Sequence, residues 1–186
     1  MFIETEVTPN PATLKFVPGR TVLAEGAREF RDVAAAAASP LAERLFEIDG
    51  VTAVFFGTDF VSVTKTEGPE WQHLKPAILG TIMEHFLSGA PLLKAGPRDR
   101  EVVDDYSAED ARIVAEIKQL LDERVRPAVA GDGGDITFHH WEDGIVWLTM
   151  RGACSGCPSS TATLRNGVQN LLKHFIPEVR EVRAAS

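Results

Sequence analysis

Residues 90–106, A-P-L-L-K-A-G-P-R-D-R-E-V-V-D-D-Y, carry two prolines, a glycine and dense charge with neither helical nor strand periodicity. That is the pattern of a linker. It divides the 186-residue chain into two stretches of similar length, each alternating strand-like with helix-like segments. The expected fold is therefore α+β, as two small α+β domains joined by a flexible linker, not one continuous layered core. The boundaries are 1–89 for the first domain, 90–106 for the linker and 107–186 for the second. With 44% hydrophobic residues, there is enough apolar side chain for a core in each.

In the first domain, F-I-E-T-E-V and T-L-K-F-V read as short strands on either side of T-P-N-P-A, whose prolines and asparagine favour a turn. The alanines Ala34–Ala38 suit a helix. Ser39 and Pro40 supply an N-cap and a first-turn proline, after which Leu41, Leu45 and Ile48 fall on one helical face. V-T-A-V-F-F and F-V-S-V-T-K bracket G-T-D as a hairpin, and Leu74, Ile78, Ile82 and Phe86 mark another amphipathic helix.

The second domain opens with Ser107 and Asp110 at capping-box spacing, then Ile113, Ile117, Leu120 and Leu121 as an apolar stripe. Pro127 is expected to close that helix. D-I-T-F-H-H-W and I-V-W-L-T-M flank E-D-G, an Asp-Gly hairpin signal. Leu164, Val168, Leu171, Leu172 and Phe175 define a long helix ending before Pro177, and V-R-E-V is a last short strand able to join the hairpin. The expected order is helix, strand, strand, helix, strand.

Charge excludes some partners. The net charge of −8 is shared evenly: residues 1–95 hold 8 basic and 12 acidic side chains, and residues 96–186 hold 11 and 15. Neither half is a basic footprint for nucleic acid. No apolar run approaches the roughly 20 residues of a membrane helix. The start M-F-I-E-T-E shows no signal or transit peptide, which gives the expectation of a cytoplasmic, bacterial protein.

The only cysteines are Cys154 and Cys157, in R-G-A-C-S-G-C-P between the second hairpin strand and the long helix. Such a pair can chelate a metal, form a disulfide, or supply half of the four thiolates of an iron-sulfur cluster. Pro158 fits the first helical position, which makes Cys157 the expected N-cap. The unpaired N–H groups there favour thiolate over thiol. Gly152 and Gly156 allow left-handed turns on either side, and Ser155, Ser159 and Ser160 are available as hydrogen-bond donors.

A one-chain zinc site would need two more ligands. His139 and His140 are the nearest histidines, but neighbours on a strand point to opposite faces. A dithiol oxidoreductase would also place its pair at a helix start. Here the proline follows the second cysteine, and the preceding pattern is a hairpin without βαβ context.

Other residues suggest no second chemistry. Gly131, Gly133 and Gly134 lack the Lys and Ser or Thr of a phosphate loop, and Asp132 and Asp135 beside them read as solvated or capping carboxylates. Trp71, Trp141 and Trp147 read as core or subunit-contact residues; His73, His85 and His174 as surface or boundary side chains. No hydrolase motif is present, so the chain is not expected to be an enzyme.

G-D-G-G-D-I at 131–136, R-G-A-C-S-G-C-P-S-S-T-A-T-L-R-N-G-V at 151–168 and P-E-V ending at Val179 resemble the cluster-binding domain of the NifU-like, or Nfu-type, family of iron-sulfur cluster carriers. T-P-N-P-A-T-L-K-F-V-P-G, F-F-G-T-D-F-V-S-V-T-K and I-M-E-H-F resemble that family's N-terminal domain. The resemblance implies that Cys154 and Cys157 are the metal and cluster ligands, two from each chain of a homodimer. The implied cargo is a [4Fe-4S] cluster, with [2Fe-2S] left open because both accept four thiolates. The implied partners are an upstream assembly scaffold as donor and apo iron-sulfur proteins as recipients. Two alternatives remain beside this reading: a dithiol/disulfide oxidoreductase using the same pair, and a zinc-bridged adaptor dimer.

Overall fold

The computed structural model describes residues 2–94, 106–156 and 158–185. The chain forms two compact units, Met1–Arg98 and Asp99–Ser186. The fold class is α+β, with helices and sheets in both.

In the first unit, the apolar alternation of T-L-K-F-V becomes β2 (Thr13–Val17), which pairs antiparallel with β1 (Glu4–Val7) and with β5 (Val61–Lys65). β4 (Val51–Phe56) lies on the far side of β5, and β3 (Arg28–Phe30) closes the sheet in the order β1-β2-β5-β4-β3. Strand β3 escapes sequence reading because three residues, R-E-F, carry no period. The alanine run forms only one turn, α1 (Val33–Ala36), before Ser39 restarts the helix as α2 (Pro40–Phe46) by accepting the N–H of Ala42 at 3.2 Å. Leu41 and Leu45 from α2, with Leu74, Ile78 and Ile82 from α3 (Trp71–Ser88), bury against Phe16, Val54, Phe56 and Val63.

His85, expected near the surface, is instead 2% exposed. It falls one turn from Ile82 on the inward face of α3, so helical geometry carries it into the interior. Leu92 and Leu93, inside the stretch read as linker, pack on this core, and Lys94 pairs with Glu43 at 2.7 Å. Residues 95–105 of that stretch lie outside the described residues.

In the second unit, Ser107 accepts the N–H of Asp110 at 3.1 Å and opens α4 (Ala108–Leu120). Pro127 does not end the helix. A π turn (Leu121–Val125) intervenes, with the Arg126 N–H bonded to the Leu121 carbonyl, and the chain continues as α5 (Arg126–Gly131). Widening the turn before the proline accommodates a residue that has no N–H to give. β6 (Gly134–Glu142) and β7 (Ile145–Gly152) form the expected hairpin through Asp143 and Gly144, both at positive φ as a type I′ turn requires.

α6 (Pro158–Phe175) then crosses over, and β8 (Glu181–Ala184) pairs with β7 in parallel. The order helix, strand, strand, helix, strand holds. The parallel pairing makes β7-α6-β8 a βαβ unit, however, and this corrects the expectation that such context is missing. The core joins Ile113, Ile117 and Leu121 to Ile136, Val146, Leu148, Val168, Leu172 and Val182. Phe175 is not part of it: the ring is 41% exposed, with the Arg124 guanidinium 5.0 Å from its centroid.

Candidate functional site

The G-D-G-G-D turn and the loop after β7 meet at one end of the second unit. α5 ends with the Asp132 N–H on the Ala128 carbonyl and the Gly133 N–H on the Ala130 carbonyl. Gly133 at φ 82° supplies the left-handed residue that terminates a helix in this way. Its carbonyl then accepts the N–H of Ala153 at 3.2 Å, tying the turn to the residue before Cys154.

Gly134 begins β6 opposite Gly152. A Cβ on Gly134 would lie 2.5 Å from Cys154 Sγ and 2.6 Å from the Arg151 carbonyl oxygen, so the bare backbone at 134 is the wall on which the sulfur rests. Cys154 is 7% exposed and packs with the core.

Beyond Cys154 the loop is shaped by Gly152 at φ 64° and Gly156 at φ 89°. Ser155 donates its hydroxyl to the Gly152 carbonyl at 2.9 Å. Thr161, which sequence reading did not single out, donates its hydroxyl to the Cys154 carbonyl at 2.9 Å and so fastens the first turn of α6 to the loop. Its signal was present only as a threonine three residues into a helix behind a cysteine loop. Cys157, and its expected role as N-cap, lies outside the described residues.

Asp135 departs from expectation. It is neither solvated nor a cap but 6% exposed in β6. Arg126 donates to its two carboxylate oxygens from Nε at 2.8 Å and from a terminal nitrogen at 3.0 Å, while the Ile136 N–H adds a bond at 2.9 Å. The other terminal nitrogen of Arg126 reaches Asp122 at 2.9 Å. These bonds, those to Asp135 foremost, raise the pKa of Arg126 above the ordinary guanidinium value and keep it charged.

The histidines stand apart from Cys154. His139 and His140 lie five and six residues along β6 from Gly134, about 16–20 Å at strand rise. His140 Nδ1 is 3.2 Å from the Tyr106 hydroxyl. A concavity lined by Glu109, Trp141, Asp143, Glu178 and Arg180 also sits at that far end. Among the described residues, no three His, Cys, Asp or Glu side chains converge as a metal site.

The family model of "Scaffold protein Nfu/NifU N terminal" matches residues 3–89, and that of "NifU-like domain" matches residues 117–183. A human protein, "NFU1 iron-sulfur cluster scaffold homolog, mitochondrial", is 51% identical over 183 residues, which cover 98% of this chain and 71% of that one. The chain belongs to the Nfu/NifU family of scaffold proteins. The protein of the same name from Drosophila persimilis is 51% identical over 185 residues, covering 98% of this chain and 64% of its own length. Both relatives are thus longer than this Nfu-family chain. The solution structure of a NifU-like protein from Saccharomyces cerevisiae superposes on 52% of this chain and 87% of that one, at 22% identity and a TM-score of 0.47.

The expectation of a cytoplasmic bacterial protein does not stand. The relatives are named as mitochondrial, whereas that expectation rested on the start M-F-I-E-T-E and on a cysteine count too low for a disulfide-built secreted protein.

Proposed function

We propose that the chain carries an iron-sulfur cluster as cargo. Cys154 and Cys157 supply two thiolates, and the same pair of a second copy supplies the other two. The observation that carries this reading is the seating of Cys154: the only motif able to bind a cluster begins on a sulfur packed against Gly134, in a loop set by Gly152 and Gly156. The chain has two cysteines in all, and a [4Fe-4S] cluster takes four thiolates, so sharing across a homodimer completes the set. The family relatives named as iron-sulfur cluster scaffolds support the cargo.

Delivery is ligand exchange and leaves oxidation states unchanged. A thiol of the apo-protein gives up its proton and binds iron as thiolate, while Cys154 or Cys157 leaves as thiolate and takes up a proton. A site at a subunit boundary lets one chain release two ligands together. An upstream assembly scaffold is the proposed donor.

The crossover β7-α6-β8 favours a second reading, a dithiol oxidoreductase, because that context accompanies redox pairs at helix starts. The place of the proline, after the second cysteine, weighs against it.

Native mass spectrometry after anaerobic purification decides between them. A dimer heavier by one [4Fe-4S] cluster is expected, with Cys154→Ser and Cys157→Ser each losing stable iron while keeping their fold. Full iron retention in either variant refutes the assignment. One zinc per two chains establishes the adaptor dimer, and an iron-free monomer that resists reconstitution and reduces disulfides establishes the oxidoreductase.

A further inference from the structure

We propose that Arg126 and Asp135 are positioning residues for Cys154, an inference that rests on the cluster-carrier reading only for its consequence. The Asp135 carboxylate is buried and grips the Arg126 fork through both oxygens. Asp135 directly follows Gly134, whose backbone is the surface under Cys154 Sγ. The clamp therefore fixes the wall from one side, and the Ala153 N–H bond to the Gly133 carbonyl fixes it from the other.

The π turn over Leu121–Val125 is part of the device. It resets the helical phase just before Arg126, and from there the guanidinium spans Asp122 on its own helix and Asp135 on β6. Single π turns inside α-helices recur at functional sites. Bidentate guanidinium pairing adds direction as well as attraction, because two parallel bonds leave little room to pivot. The clamp presets the direction of the Cys154 sulfur before any ligand arrives, so cluster binding does not have to order it.

The variants Asp135→Asn and Arg126→Lys test this in the iron-free protein under reducing, anaerobic conditions. In Asp135→Asn the amide presents N–H groups to one of the Arg126 donors; in Arg126→Lys the charge stays and the fork is lost. A brief maleimide pulse, read by peptide mass spectrometry, gives the reaction rates of Cys154 and Cys157 separately. Cys154 is expected to react about tenfold faster in Asp135→Asn, with Arg126→Lys between it and the parent.

Val182→Ala, in β8 and paired with Val146 away from the loop, controls for general loosening. At the same distance below its melting temperature it leaves Cys154 unchanged. After reconstitution, the two clamp variants are expected to show altered Mössbauer parameters of the bound iron.

A folded Asp135→Asn with parental Cys154 reactivity overturns the proposal. If that variant does not fold, parental reactivity in Arg126→Lys does so instead. Faster Cys154 labelling in a protein that never binds iron would keep the clamp and sink the cargo reading. Normal iron binding with unmoved labelling would do the reverse.

Discussion

Each unit buries an ionisable side chain, His85 in the first and Asp135 in the second, and the two are accommodated in opposite ways. His85 is 2% exposed, and its Nε2 has no hydrogen-bond partner among the described residues. Burial, and then the charge of Arg44, lower its pKa, so it remains the neutral imidazole. Asp135 instead takes three bonds on its carboxylate oxygens, two of them from a cation. The contrast separates a buried group that the core merely tolerates from one built into the support of a neighbouring sulfur.

Removing the cation should break the contrast most sharply. Arg126→Met strands the Asp135 carboxylate. Loss of one member of a buried pair costs about 3–5 kcal/mol, and the Arg126 side chain is 35% exposed, which moves the expectation to about 2–4 kcal/mol. Hydrogen exchange read peptide by peptide should show the loss across 106–185 and none across 2–94. Equal loss in both units would mean that the pair does not belong to one core.

Next in size, one substitution should have opposite signs in the two units. Gly134→Ala drives a Cβ to 2.6 Å from the Arg151 carbonyl oxygen, which cannot swing aside as the Cys154 sulfur can, and should cost about 1–3 kcal/mol. Gly80→Ala lies within α3, where a Cβ meets nothing within 4 Å, and should stabilise by about 0.5–1 kcal/mol. Urea unfolding of each variant reads both signs.

The smallest effect is one of pH. The unfolded chain protonates His85 near pH 6.5, while the folded first unit resists protonation to lower pH. Its stability is therefore complete above pH 6.5 and declines as the pH falls toward the folded value. Melting at pH 5.5 and 7.5 should show this decline in the parent and a smaller one in His85→Phe. An unchanged slope would place the pH sensitivity on other groups.

Legibility from sequence follows the length of the physical signal. β2 matches T-L-K-F-V residue for residue, the E-D-G hairpin lies where Asp143 and Gly144 put it, and Leu74, Ile78 and Ile82 bury as their period requires. Short or compensated signals misled. Pro127 reads as a stop unless the preceding turn widens, and nothing local in L-D-E-R-V announces that widening. Asp135 looks like a loop carboxylate until Arg126, nine residues earlier, is brought beside it. The parallel partner of β7 lies across a whole helix, where neither alternation nor turn chemistry reports direction. At the site, Cys154 and Cys157 stand out as the chain's only cysteines and their ligand role comes from the resemblance, but the contact of Cys154 with Gly134 is a tertiary fact.

The same crossover bears on the order in which the molecule is made. The first unit is complete once residue 94 has been synthesised, because the strands and helices of its core all precede that point. The second cannot close its sheet until Glu181–Ala184 emerge, since Val182 fills its core from the last strand. During translation a finished first unit therefore precedes a cysteine loop whose scaffold stays open until Glu181–Ala184 have emerged.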